Sequence, residues 1–185
     1  LKNEHFRKWI NEKEIHIFNF SNLKKNDLRH IKSGIEDAIK LGKLHFKIHY
    51  GDYRRIGKIM KDNDKKISSS KLLKMVSEGR KMHQKGHAEV FVVNNPVQSS
   101  SNTIKDGEAL TYVSEGVMIL TFDASKEYSP GFLRCRAKHE AFHMLGLNAH
   151  HEDTKVYGYD NDSPCVMQYN APVMHICGKC RTGLQ

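Results

Sequence analysis

His139-Glu140-Ala141-Phe142-His143-Met144-Leu145-Gly146, preceded by Ser129-Pro130 and followed by His150-His151, is the stretch on which the reading of this chain turns. Two histidines four apart on a helix project from one face, a turn apart, and an acid beside the first is placed to serve a metal-bound water. The spacing predicts a helix from Pro130 to Leu145, with Ser129 as N-cap and Pro130 at the first helical position, where a missing N–H costs nothing. Gly146 closes it, because the chain must turn sharply after the second histidine and positive φ is cheap only for glycine. His139 and His143 are thereby candidate ligands of a zinc ion that keeps a position open for water, and Glu140 is the candidate general base. Such an ion lowers the pKa of its water from 15.7 toward roughly 7.

Downstream stand Cys165-Val166-Met167 and Cys177-Gly178-Lys179-Cys180. Three clustered cysteines with a CxxC, in a chain without the charged-then-apolar start of a secretion signal, point to metal ligation before disulfides. Cys135, one turn before His139, reads as a small buried apolar residue.

From His139 to Cys180 the chain resembles the metzincin metalloproteases, whose pattern is HExxHxxGxxH followed by a Met-turn. It resembles more closely the archaemetzincins, which add cysteines for a second zinc. The family's third histidine falls three residues after the glycine, where this chain has Ala149; His150 follows and is taken as the third catalytic ligand, with His151 and then Asp153 competing. The resemblance implies a second, structural zinc on His151, Cys165, Cys177 and Cys180, with His151 standing where the family has cysteine; Cys3His is a common closed tetrahedral set. His175 competes for that ion. The resemblance also makes Met167 the Met-turn residue beneath the histidines. It places Tyr169 where some metzincins carry a movable ligand or oxyanion donor, with packing as the alternative. Pro172 to His175 would border an apolar specificity pocket.

Outward from the motif, Glu14–Phe20 alternates as a first strand, and Leu28, Ile31, Ile35, Ala38 and Ile39 recur at helical spacing between Ser21-Asn22 and Leu41-Gly42. Leu44–Tyr50 reads as a strand carrying surface or packed histidines at 45 and 49. A second helix is expected from Ser68 to near Gly86, a central apolar strand over Ala88–Val93, and a polar loop over Asn94–Asn102. A hairpin follows, with strands from Leu110 and over Val117–Phe122. The fold class is α/β (α+β): a metzincin-like mixed β-sheet with one antiparallel edge strand, packed on helices including the zinc-binding active-site helix, with a small zinc-stapled C-terminal subdomain. One catalytic domain spans 1–185, divided into an N-terminal subdomain 1–146 that carries the active-site helix 130–146, and a C-terminal subdomain 147–185.

At 185 residues and 38% hydrophobic the chain is sized for a single core. No run approaches the roughly 20 apolar residues of a membrane span, so a cytoplasmic, monomeric enzyme without membrane contact is expected. Residues 1–87 hold 22 Lys/Arg against 10 Asp/Glu, whereas residues 88–185 hold 8 against 11. Such asymmetry marks either a solvated lysine-rich surface or one for nucleic acid. The functional expectation is a two-zinc peptidase acting on a peptide or protein. The alternative is a zinc-stabilised binding module with a basic nucleic-acid surface, or a protease recruited to nucleic acid.

Overall fold

In the computed structural model the described residues are 14–51, 67–68, 77, 87–94, 97–98, 109–112, 116–147, 165–167 and 176–184. Their strands are β1 (Glu14–Phe20), β2 (Lys47–Gly51), β3 (Ile67–Ser68), β4 (His87–Val93), β5 (Val97–Gln98), β6 (Ala109–Tyr112) and β7 (Val117–Thr121). Their helices are α1 (Lys25–Leu41), α2 (Pro130–Met144) and α3 (Gly178–Gly183).

Five strands form one mixed sheet in the order β2-β1-β4-β7-β6. β2, β1, β4 and β7 are parallel, and β6 pairs antiparallel with β7. The alternation of β1 sends Ile15 and Ile17 to one face, where they meet Val90 and Val92 of β4, Met118 and Leu120 of β7, and the apolar sides of α1 and α2. β4 and β7 are buried along their described lengths, so their sequences read as continuous apolar runs and not as alternation. On the second face Phe91 stacks on Phe18 and Phe20.

α1 buries Leu28, Ile31, Ile35, Ala38 and Ile39, the set its spacing picked out; removing each of the Leu and Ile side chains from water is worth about 1.5–3 kcal/mol. It starts three residues later than the Ser21-Asn22 cap would require. Ser21 is consumed locally, its N–H and hydroxyl both donating to Asn19 Oδ1, and the helix opens instead with the Asp27 carboxylate accepting from the Lys24 N–H. β2 also begins late, at Lys47, because Lys43 takes a positive φ of 55° after the helix and His45 falls in the connection before the strand. Ser68 lies in β3, which pairs with β5 at Val97–Gln98, so a short strand interrupts the loop expected after Val93. The helix expected after Ser68 falls mostly outside the described residues.

α1 crosses α2 closely enough that a Cβ on Gly34 would collide with the carbonyl oxygen of Arg134. Beside that contact Arg134 donates from Nε and Nη2 to the two oxygens of Asp37, at 2.9 and 3.1 Å. This crossing fixes α2 against the sheet, and α2 carries the histidines. Among the described residues no helix is long and apolar enough to cross a membrane.

Candidate metal centres

α2 begins as its sequence dictates: the Ser129 hydroxyl oxygen accepts from the Phe132 N–H at 3.2 Å, and Pro130 occupies the first turn. Its C-terminus is a Schellman turn. The Leu147 N–H donates to the Phe142 carbonyl at 3.0 Å and the Gly146 N–H to the His143 carbonyl at 2.9 Å, with Gly146 at a φ of 101°. The turn brings the Leu147 carbonyl back over the helix, where it accepts from His143 Nδ1 at 2.6 Å.

His139 is held in the same manner by another backbone group, the Val166 carbonyl, which accepts from its Nδ1 at 2.6 Å. With both Nδ1 atoms donating, the lone pairs of the neutral rings lie on the two Nε2 atoms, and these face each other at 3.1 Å. Two nitrogens at zinc-bond length around a tetrahedral ion stand about 3.3–3.4 Å apart, so the pair is spaced to share a cation. Burial pushes the protonation of His139 down to about 4. The Val166 carbonyl opposes that shift and the neighbouring His143 and Arg136 add to it, keeping the ring neutral as a ligand must be. Glu140 is 5% exposed; its Oε1 lies 3.9 Å from His139 Nε2, and its Oε2 accepts from the Thr111 hydroxyl at 2.6 Å.

The sulfurs of Cys165, Cys177 and Cys180 gather as a second cluster, as His139, Glu140 and His143 gather in the first; within each, the ligand atoms lie within 4.8 Å of one another. Cys165 Sγ and Cys180 Sγ are 4.0 Å apart. A disulfide needs about 2.05 Å, whereas two thiolates on one tetrahedral zinc stand about 3.8 Å apart, so the spacing fits a shared ion. The thiol of Cys180 draws Cys165 down to about 4, against its burial and with help from the N–H groups of Cys177 and Met167, while Cys180 itself is pushed up. The Cys177 N–H donates to Cys165 Sγ at 3.4 Å, and Cys177 also caps α3, which delivers Cys180. Nearby Lys138 is lowered by burial and held up by Asp37 and the thiols of Cys135 and Cys165.

Of the sequence-derived site residues, the structure brings together His139, Glu140 and His143 in one cluster and Cys165, Cys177 and Cys180 in the other. Met167 is fully buried, two residues after Cys165, and Cys135 is buried on α2. His150, His151, Asp153, Tyr169 and His175 lie outside the described residues. Sequence reasoning missed Thr111, which it saw only as part of a hairpin strand. It also missed the Val166 and Leu147 carbonyls, which as backbone groups have no sequence signature.

The likeness to known proteins lies in the fold. A crystal structure of archaemetzincin from Methanopyrus kandleri superposes with a TM-score of 0.59 at 12% identity, over 94% of this chain and 94% of that one. A second, from Archaeoglobus fulgidus in complex with malonate, gives 0.54 at 14% identity over 91% and 98%. The fold is archaemetzincin-like. No protein-family model matches the sequence, and no curated protein matches it. The archaemetzincin-like frame accommodates both candidate zinc-binding groups at the places the motifs mark.

Proposed function

We propose that the chain is a zinc-dependent peptidase with a second, structural zinc. The observation that carries the reading is the histidine pair. Both Nδ1 atoms are committed to carbonyls, both Nε2 atoms converge at 3.1 Å, and a buried carboxylate oxygen stands 3.9 Å from one of them. His139 and His143 would hold the catalytic zinc with His150 as third ligand, and Cys165, Cys177 and Cys180 the structural one, with His151 completing it. Zinc in the histidine site supplies a Lewis acid and an acidified water near neutral pH.

The chain's own part is to orient and to move a proton. Val166 and Leu147 fix the tautomers and planes of the two imidazoles. Glu140 Oε1 takes the proton of the attacking water and returns it to the leaving amine. Among the described residues β6 is the edge strand of the sheet beside this site, where an extended peptide would pair. A closed set of four ligands at the cysteines leaves no position for water, which assigns that cluster to stapling the C-terminal segment.

The test is cleavage of a diverse peptide library by the zinc-loaded protein and by Glu140→Gln. The variant should retain its zinc stoichiometry and lose turnover by roughly 10²- to 10⁴-fold. A zinc-loaded wild type that cleaves no peptide, or a Glu140→Gln variant that cleaves at the wild-type rate, refutes the reading.

A further inference from the structure

A carboxylate has two oxygens, and a general base needs one of them aimed at the proton it takes. The terminal torsion of a glutamate is broad, so a Glu side chain does not by itself present a fixed oxygen. Glu140 is buried enough that an oxygen lacking a partner is destabilising, and Thr111 reaches across from β6 to supply one. The Thr111 hydroxyl donates to Oε2 at 2.6 Å, a short hydrogen bond.

The placement follows from the register of the hairpin. Thr111 pairs with Met118, and Met118 belongs to the sheet face that packs on the helices; Thr111 therefore points toward α2. Its hydroxyl holds Oε2, and Oε1 is left as the oxygen facing His139 Nε2.

We propose that Thr111 is a positioning residue that selects Oε1 of Glu140 as the base. This rests on the peptidase reading and deepens it. In the step, Oε1 receives the proton of the attacking water as the water oxygen bonds to the scissile carbonyl carbon, and the same oxygen later gives that proton to the amine as the carbon–nitrogen bond breaks. Throughout, Thr111 keeps its hydrogen bond to Oε2, so the proton is confined to the oxygen next to the substrate. The donor sits on the edge strand along which an extended peptide would pair, which ties the aim of the base to the strand nearest the substrate.

The experiment compares wild type, Thr111→Val and Thr111→Ser as full chains loaded with zinc, and as crystals of the zinc-free proteins. Thr111→Val keeps the shape and removes the hydroxyl. It should lower kcat roughly 10- to 100-fold with KM and zinc content close to wild type, and melt a few degrees lower because buried Oε2 loses its donor. Thr111→Ser, which restores the donor, should recover most of that loss. In the zinc-free crystals Oε1 should face His139 in wild type and Thr111→Ser, and the carboxylate should be turned in Thr111→Val. An unmoved carboxylate, an unchanged kcat, or a loss of zinc or a rise in KM that accounts for the lost activity overturns the inference. If the wild type cleaves nothing, the peptidase reading falls, and the orientation of the carboxylate in the crystals decides for or against Thr111 on its own.

Discussion

Replacing Gly146 by alanine perturbs one backbone angle and, through it, one imidazole. At a φ of 101° the residue lies in the left-handed region, where a Cβ costs about 1–2 kcal/mol. For a chain of this length each kcal/mol lowers the melting temperature by about 2–4 °C, so Gly146→Ala should melt about 2–8 °C below wild type. The second effect is separate from stability. Relaxing the turn displaces the Leu147 carbonyl that His143 Nδ1 reaches at 2.6 Å, and loss of such a partner typically weakens metal binding about 10- to 100-fold. Calorimetry of the zinc-free protein reads the first effect, and competition with a chromophoric chelator reads the second. Gly146→Asn should fall between the two, because asparagine tolerates the left-handed region better than alanine. A Gly146→Ala protein with wild-type melting and wild-type zinc affinity would show that the turn does not constrain His143, and would refute the account of that ligand.

Gly34→Ala should disturb the site from a distance: its Cβ meets the Arg134 carbonyl, so α2 must back away from α1, at a cost of about 1–3 kcal/mol. Thermal melting measures it, and an unchanged melting temperature would mean that the helices slide apart freely. Acid should destabilise the zinc-free protein through His139. Its folded pKa of about 4 lies below the ordinary 6.5, so the unfolded chain binds the extra proton between those values. The stability present above pH 6.5 is therefore lost as pH falls toward 4, by roughly 3 kcal/mol in all. Melting against pH should accordingly be steeper for wild type than for His139→Gln, and equal slopes would remove His139 from the account.

The helix that carries His139 and His143 was legible because each of its signals is local. Ser129 and Pro130 start it, Gly146 ends it, and the period of its histidines places them on one face. The central strands were legible for a related reason, since Val90–Val93 and Val117–Leu120 are buried on both faces and leave no doubt about their apolar runs. The start of α1 was not. Ser21 makes as good an N-cap as Asp27 makes a first-turn acid, and only the tertiary course of Asn19–Leu23 commits Ser21 to its own turn. The groups that orient the site were beyond sequence reading altogether. Thr111 meets Glu140 across 29 positions of chain and His139 meets Val166 across 27, contacts created by folding and unsigned by either residue type. The cysteine cluster was anticipated from its spacing and from the family resemblance, whereas the meaning of Val166, standing between Cys165 and Met167, was not.

That short run has a consequence of its own. Cys165 enters the sulfur cluster, and the next residue supplies the carbonyl that fixes His139. The two candidate sites are thus joined through adjacent residues of one short run. If ordering Cys165 lowers the freedom of the carbonyl that His139 grips, thermodynamic reciprocity requires that fixing His139 tighten the hold on Cys165 by the same factor. A substitution at Cys165 would then be read in the metal affinity of the histidine pair.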